Sequence, residues 1–140
     1  MIAAGLGCRK GCASADLVRA LETALASAGR ALSDVSALYA PEFKAEESAL
    51  VEIARQLGKP LVLLGMDALQ LQAAHALTQS AQVAVRFGIP SIAETAALAG
   101  ACALAESSAM RPTLLGPRQI AGGASCALAV ATDFALGDPQ

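Results

Sequence analysis

The chain alternates short apolar runs with longer segments of helical periodicity, and this alternation limits its possible folds more than any other feature. Short apolar runs bounded by Gly, Pro or polar residues are typical of strands. The strands are predicted at 1–6, 35–40, 61–64, 113–115 and 125–131. The helices are predicted over 14–28, about 43–57, 67–77 and a segment that begins at Ser91. This order predicts a three-layer α/β/α sandwich with a mixed, mostly parallel sheet of about five strands, in a single domain spanning 1–140.

Several details of the pattern refine this architecture. The run 61–64 is apolar on both faces, which predicts a central strand of the sheet. The run 95–105 contains no charged residue, which predicts a helix buried on most sides. The last two strands are too close in sequence for a crossover helix, so they are predicted to pair antiparallel. Residues 82–87 are predicted as a weak extended piece, and the tail from about Asp133 as loosely ordered.

The composition argues against several classes of function. Hydrophobic residues make up 55% of the chain and aromatic residues 3%, so the core must consist of Ala, Leu, Val and Ile. A net charge of −2 argues against nucleic acid as a partner, because such proteins need a basic surface and stacking rings. No apolar segment is long enough to span a membrane, and the first residues lack the order of a secretory signal. We therefore expect a cytoplasmic protein without a membrane or nucleic-acid partner.

Because the cytoplasm is reducing, the four cysteines are expected to remain thiols. Cys102 and Cys126 lie in apolar, Ala-rich runs and are predicted to be small buried residues. Cys8 and Cys12 are separated by three residues, a spacing that suits zinc poorly, and the single histidine, His75, is distant in sequence. Neither a metal nor a cofactor is predicted.

The connection between the first strand and the first helix is the first candidate site. It reads Gly5-Leu6-Gly7-Cys8-Arg9-Lys10-Gly11. Glycines let a ligand approach the backbone, the helix start favours negative charge, and the basic pair adds two cations. An anion pocket is therefore predicted, and the alternative is a tight turn with a solvated basic pair. A dinucleotide site is weakly supported, because the last glycine spacing is one residue too long and no acidic residue follows at the expected distance.

Two later helix starts are the other candidate sites. Lys44 and Glu47 follow Pro41, and the pattern suggests either that Lys44 faces an anion with Glu47 orienting it or that the two form a surface ion pair. Ser91 and Glu94 have the spacing of a capping box, and Glu94 is alternatively a binding or acid/base carboxylate. Because the carboxyl ends of parallel strands meet at one edge of a sheet, the three segments are predicted to line a single crevice.

These motifs, in this order, resemble the family formed by the cobalamin-biosynthesis protein CobE and the C-terminal domain of CbiG. Members begin with Gly-x-Gly-Cys-Arg-Arg/Lys-Gly, which matches residues 5–11. A Lys-x-x-Glu element matches 44–47, and a Gly-x-x-Ser-x-x-Glu-x-x-Ala-Leu element matches 88–98. A closing Thr-x-Ala-x-Ala strand matches 125–129, with Ser125 in place of Thr. Arg118 stands where members often carry Lys, so the charge is kept, and the resemblance covers nearly the whole chain.

The resemblance implies a cytoplasmic protein of cobalamin (vitamin B12) biosynthesis, within porphyrin metabolism. CbiG-like proteins have an additional N-terminal region, so the likeness is to the stand-alone CobE form. Such a protein is expected to bind a polycarboxylate corrinoid, a precorrin or a compound similar to hydrogenobyrinic acid, and to present or protect it, with other enzymes of the pathway as further partners. The ligand-binding residues that the resemblance implies are Gly5, Gly7, Cys8, Arg9, Lys10, Gly11, Lys44, Gly88, Ser91, Glu94 and Arg118. The alternative is a hydrolase that opens the ring-A lactone of cobalt-precorrin-5A, with Glu47 and Glu94 as catalytic residues.

Overall fold

The computed structural model describes residues 1–80, 91–105 and 110–133. The strands in these ranges are β1 (Ile2–Cys8), β2 (Val35–Pro41), β3 (Leu61–Leu64), β4 (Met110–Leu114), β5 (Gln119–Ala121) and β6 (Ala124–Asp133). The α-helices are α1 (Ser14–Ala28), α2 (Ser48–Leu57), α3 (Met66–Gln70) and α4 (Ile92–Leu104). Single 3₁₀ turns lie at Leu32–Asp34, Glu42–Lys44 and Ala73–His75.

The six described strands form one mixed sheet, in which five follow the order β3-β2-β1-β6-β4 and the sixth, β5, pairs with β6. β1 and β3 both pair parallel with β2. β6 runs antiparallel to β1, and both β4 and β5 run antiparallel to β6. β4 pairs with 129–133 and β5 with 124–126, so these two strands lie end to end along the same side of β6. β6 therefore runs in the opposite direction to the other five described strands, which share one direction. This confirms the mixed, mostly parallel sheet.

Helices cover both faces of the sheet, each over its own apolar core. On one face, Leu17 and Leu21 of α1 pack with Leu50 and Ile53 of α2 and with buried residues of β1 and β2. On the other face, α4 packs through Ala residues and Leu98 against β1, β2 and β6. Burial of each of these Leu and Ile side chains contributes about 1.5–3 kcal/mol to the stability of the folded state. The predicted three-layer sandwich is confirmed.

Small residues allow α4 to lie very close to the sheet. A Cβ atom at Gly5 of β1 would overlap the carbonyl oxygen of Ala93 and the backbone nitrogen of Ala97. Farther along α4, a Cβ at Gly100 would overlap the ring of Tyr39. This close contact places the first turn of α4 over the carboxyl half of β1, where the candidate site begins.

The position of β3 differs from the sequence prediction. Among the described strands, β3 lies at the edge of the sheet and not at its centre, and Val62 and Leu63 are each 38% exposed. The prediction was wrong because an apolar run shows only that both faces of a strand lack polar groups. It does not show how many strands lie beside it.

Three further elements differ in extent. The helix predicted over about 43–57 begins at Ser48, because Glu42–Lys44 first forms a 3₁₀ turn. The helix predicted over 67–77 consists of α3 followed by a separate 3₁₀ turn. β5 was not predicted, since three residues are too few to show a period. No described helix is long and apolar enough to cross a membrane, and the predicted extended piece at 82–87 and the tail after Asp133 lie outside the described residues.

Candidate binding site at the carboxyl edge of the sheet

The loop between β1 and α1 presents two exposed cations on a backbone that is held in place. Arg9 and Lys10 are exposed, whereas the backbone N–H of Arg9 donates to the carbonyl of Gly123 at 2.9 Å. The N–H of Cys12 donates to the carbonyl of Arg9 at 2.9 Å, and Gly11 adopts a left-handed conformation with φ of 76°. The turn is therefore tight, and its basic side chains point to where a ligand can reach them.

A disulfide joins Cys8 to Cys12, with Cα atoms 5.9 Å apart. The prediction that all four cysteines remain thiols is wrong for this pair, because it was drawn from the expected compartment and not from the geometry of the turn. The tight turn at Gly11 brings the two sulfur atoms together, and the bridge encloses Arg9, Lys10 and Gly11 in a small ring. Cys8 is therefore a structural member of the loop.

The other two cysteines differ from each other. Cys126 is a buried thiol as predicted, and burial raises its pKa to about 12. Cys102 is exposed, contrary to the prediction, because it lies near the end of α4, where the helix is no longer covered. Partial burial raises the pKa of Cys102, and a hydrogen bond from Gln72 opposes that shift. No cluster of three His, Cys, Asp or Glu side chains suited to a metal occurs in the part of the chain that the structure describes.

Glu47 connects the cationic loop to the segment after β2. Its Oε1 accepts a hydrogen bond from the backbone N–H of Gly11 at 2.9 Å. Lys44 lies half-buried in the preceding 3₁₀ turn and forms no ion pair with Glu47. The ion pairs found among the described residues are Arg19–Asp16 and Arg55–Glu52. Glu47 therefore orients the β1–α1 loop rather than the side chain of Lys44. Its bond to Gly11 brings two of the three predicted segments into direct contact.

Glu94 is fully buried and accepts four hydrogen bonds from described residues, so it is a structural junction. Its Oε1 accepts from the backbone N–H groups of Leu77 at 2.7 Å and Thr78 at 2.8 Å. Its Oε2 accepts from the Thr78 hydroxyl at 2.6 Å and from the backbone N–H of Arg118 at 2.8 Å. Four donors use all the acceptor positions of an ionised carboxylate. The side chain therefore ties the first turn of α4 to two connecting segments.

The predicted capping box at the start of α4 is half-formed. The hydroxyl of Ser91 accepts from the backbone N–H of Glu94 at 3.3 Å, as such a cap requires. The Glu94 side chain does not return to the backbone of Ser91, because its oxygen atoms are occupied by Leu77, Thr78 and Arg118. Ser91 is buried, so it supports the helix start from inside.

Contacts around Gly7 join the start of α4 to the cationic loop. A Cβ at Gly7 would overlap the hydroxyl of Ser125 and would lie 3.9 Å from the backbone nitrogen of Ala93. The end of β1 is therefore enclosed by Ser125 of β6 and by the first turn of α4. Together with the Gly11–Glu47 bond, this places the three predicted segments at the carboxyl edge of β1. Gly88 lies outside the described residues.

Two parts of this arrangement were missed by sequence reasoning. Thr78 supplies two donors to Glu94, and Gly123 holds the cationic loop through its carbonyl. No local pattern shows either contact, since each residue acts on a segment that is distant in sequence. The Gly122-Gly123 pair was the available signal for a turn, but not for its contact with Arg9.

A shallow groove separates the first turns of α1 and α2. It has a volume of about 260 Å³ and is lined by Cys12, Ala13, Ser14, Ser48, Ala49 and Glu52. The residues that precede these helices, Ala13 and Glu47, make no side-chain cap. First-turn N–H groups at uncapped helix starts can bind negative charge. The groove therefore extends the electropositive character of the adjacent loop, although Glu52 adds an acid to its wall.

Comparison with known proteins places this geometry in a known context. Residues 2–129 match the family model described as cobalamin synthesis G C-terminus. A protein CobE of a Sinorhizobium species is 31% identical over 97 residues, which are 69% of this chain and 63% of that protein, so the match spans less than two thirds of the relative. The crystal structure of CobE, a protein from the cobalamin (vitamin B12) biosynthetic pathway, superposes with a TM-score of 0.85 at 34% identity, over 94% of this chain and 92% of that one.

Two other solved structures are similar. The cobalamin biosynthesis protein chiG of Agrobacterium tumefaciens str. C58 has a TM-score of 0.69 at 29% identity, over 95% of this chain and 100% of that one. A cobalamin biosynthesis protein G homolog of Sulfolobus solfataricus has a TM-score of 0.61 at 14% identity, over 94% of this chain and 37% of that one, and this likeness shows the fold alone.

Proposed function

This chain belongs to the cobalamin synthesis G C-terminus family, a family of cobalamin-biosynthesis proteins, and from that premise we propose that it binds a polycarboxylate corrinoid intermediate and presents or protects it in the pathway. The observation that carries the proposal is the hydrogen bond from Gly11 to Glu47. This bond joins the β1–α1 loop, which carries Arg9 and Lys10, to the segment after β2, which carries Lys44. Both lie at the edge of the sheet where ligands of α/β folds bind. The expected compartment is the cytoplasm.

The proposed ligand matches the charges at this edge. Corrinoid intermediates are flat macrocycles with acetate and propionate carboxylates around the rim. Arg9 and Lys10 are exposed and Lys44 is half-exposed, so all three cations are accessible to such carboxylates. Each charge-assisted contact contributes about 1.5–3 kcal/mol where it is desolvated. Arg118 adds a fourth cation on the segment that Glu94 holds.

The shape of the surface indicates how such a ligand would lie. The groove of about 260 Å³ between α1 and α2 is smaller than the 300–1,000 Å³ pockets that enclose drug-sized ligands. We therefore propose that the macrocycle lies across the open edge, with its carboxylates on the cations, and is not enclosed by the described residues. This arrangement suits a protein that passes an unstable intermediate to another enzyme.

The hydrolase alternative depends on Glu47. Oε1 of Glu47 accepts from Gly11, whereas its Oε2 has no hydrogen-bond partner among the described residues. Glu47 is therefore able to accept a proton from water next to a bound lactone. Glu94 suits this role less well, because its four acceptor positions are filled. If the protein opens the ring-A lactone of a precorrin of the cobalt-precorrin-5A type, Glu47 is the proposed base.

Incubation of the purified protein with precorrin intermediates distinguishes these functions. Binding predicts that the chromophore is retained at stoichiometric amounts after gel filtration, with an unchanged ligand mass. A hydrolase predicts a changed ligand mass at sub-stoichiometric protein, and its loss in Glu47→Gln. A protein that only assembles pathway enzymes predicts no absorbance change with any free corrinoid, and that result would refute the proposal.

A further inference from the structure

The outer edge of β3 is an apolar surface that the proposed function does not use. β3 ends the strand order, and no described strand pairs with its outer side. Its sequence is Leu61-Val62-Leu63-Leu64, in which the two middle residues are exposed and the two outer ones half-buried. Edge strands are normally protected by charged residues, Pro or a bulge, and none interrupts this strand. We propose that β3 pairs antiparallel with β3 of a second copy of this chain, which forms one continuous sheet across a two-fold axis.

The backbone of β3 determines the register of this pairing. The carbonyl of Pro60 accepts from the N–H of Leu38 at 2.8 Å, so it faces β2. Backbone groups alternate in direction along a strand, so those of Val62 also face β2, whereas those of Leu61 and Leu63 face outward. In a symmetric pair, Leu61 of one copy lies opposite Leu63 of the second copy. Their N–H and C=O groups then form four hydrogen bonds about an axis at Val62.

The same register covers apolar side chains on both faces of the sheet. Leu61 packs against the core under α1 and α2, and Leu63 shares its face because side chains alternate along a strand. Leu64 packs against the core under α4, and Val62 shares that face. Because the two-fold axis is perpendicular to the sheet, the same face of each copy lies on the same side of the joined sheet. Each core is therefore extended by the same core of the second copy.

The charges at the two ends of β3 favour a second copy over an unrelated strand. Lys59 precedes the strand and Asp67 follows it, and neither side chain forms an ion pair within the described ranges. In the proposed register, Lys59 of one copy lies opposite Gly65 of the second copy, two residues from Asp67. The two-fold axis repeats this contact, so opposite charges approach at both ends of the interface. The edge is complementary to itself in backbone, apolar surface and charge.

The oligomeric state of the full chain tests the proposal. In sedimentation velocity over roughly 1–100 μM, we expect a reversible dimer for the wild type and at least a tenfold higher dissociation constant for Leu63→Lys. Leu63→Pro should have the same effect, because it removes an N–H that faces outward and not one that pairs with β2. Ile120→Lys is the matched control, since it places the same charge at a largely exposed aliphatic residue of β5 and should leave the dimer intact.

A charge exchange tests the register without altering the strand. Lys59→Glu should weaken the dimer, and adding Asp67→Lys to that variant should restore it. A wild-type chain that stays monomeric over the whole concentration range would refute the proposal. A dimer that resists Leu63→Lys and the single charge reversal would also refute it, because another surface must then hold the two copies together.

Discussion

Side chains of the loop after β1 divide into those that face solvent and those that hold the loop. Arg9 and Lys10 are exposed, whereas the Cys8–Cys12 bridge and the Gly11 N–H bond to Glu47 fix the backbone beneath them. A fixed backbone lowers the entropy that the two cations lose when they bind a ligand. The loop therefore combines accessible charge with a preorganised turn.

Removal of both loop cations should weaken corrinoid binding without unfolding the protein. For Arg9→Ala with Lys10→Ala we expect at least a tenfold loss of affinity, roughly 1.4 kcal/mol, measured by absorbance titration. The free energy of unfolding should change little, because both side chains are exposed. Arg19→Ala with Arg30→Ala removes the same charge elsewhere and should bind normally. Equal affinities of all three proteins would exclude the loop from the site.

Replacement of Glu94 should destabilise the fold, because its carboxylate accepts hydrogen bonds from two separate segments and ties both to α4. In Glu94→Gln, the amide group faces N–H donors that then lack an acceptor. We expect a loss of about 2–4 kcal/mol in the free energy of unfolding, measured with urea. Glu46→Gln is the control at an exposed carboxylate and should change that value little. A stable Glu94→Gln protein with lost corrinoid binding would instead indicate a direct role in the site.

The buried thiol of Cys126 should make stability depend on alkaline pH. Burial raises its pKa from 9.0 to about 12, so the unfolded chain loses this proton at a lower pH than the folded one. The stabilising contribution is therefore complete below about pH 9 and is lost as the pH rises towards 12. Unfolding free energies of the wild type should fall more steeply over this range than those of Cys126→Ala. Parallel curves for the two proteins would contradict the shift.

Elements at the carboxyl edge are held by contacts between segments rather than by their own caps. α1 and α2 begin without side-chain caps, and α4 combines the Ser91 cap with the Glu94 junction. The β1–α1 loop depends on the disulfide and on two contacts to other segments, Gly123 and Glu47. Loss of one contact should therefore loosen an element locally before the whole sheet unfolds.

Opening the Cys8–Cys12 bridge should loosen the cationic loop. Reduction by a dithiol converts the bridge to two thiols, and Cys12→Ser prevents it from forming. The chain-entropy relation for so small a ring predicts a loss of about 2 kcal/mol. Trypsin, which cleaves after Arg and Lys, should then cut at Arg9 and Lys10 faster than in the oxidised protein. Cys102→Ser is the control, and equal cleavage rates of the oxidised protein and Cys12→Ser would show that the bridge does not restrain the loop.

At the scale of the whole molecule, one sheet is shared by two apolar cores. β1 and β2 supply residues to the core under α1 and α2 and also to the core under α4. Because neither helical layer has a sheet of its own, the two layers should unfold together. Chains of this size commonly show a single cooperative transition.

Substitutions in either core should therefore act on the same transition. Leu50→Ala tests the core under α1 and α2, and Leu98→Ala tests the core under α4, since both side chains are almost fully buried. Each should lower the free energy of unfolding by about 2–5 kcal/mol without splitting the transition. Far-UV circular dichroism reports the helices, and the fluorescence of Tyr39, the single tyrosine, reports the α4 core. Separate midpoints from these two signals would contradict a shared core.

Local periodicity determined the existence and order of most elements. The pattern at 14–28 predicted α1 with the bounds that the structure shows, and the strand at 35–40 matches β2 within one residue. The Ser91 cap was also readable, because capping depends on residues three positions apart. The family motifs were readable from the same local order. These features depend on contacts between neighbours in the chain.

Tertiary structure decided how distant residues use their polar groups. The sequence contains Glu94, Thr78 and Arg118, but only the fold makes the first a buried acceptor for the other two. The same holds for the Gly11–Glu47 bond and for the position of β3 at the edge of the described strands. A sequence pattern specifies which face of an element is apolar, whereas the neighbour that covers it depends on how all the elements pack. The chain's local order therefore determined its elements, and packing alone decided which of their polar and apolar groups remain open to a ligand or a partner.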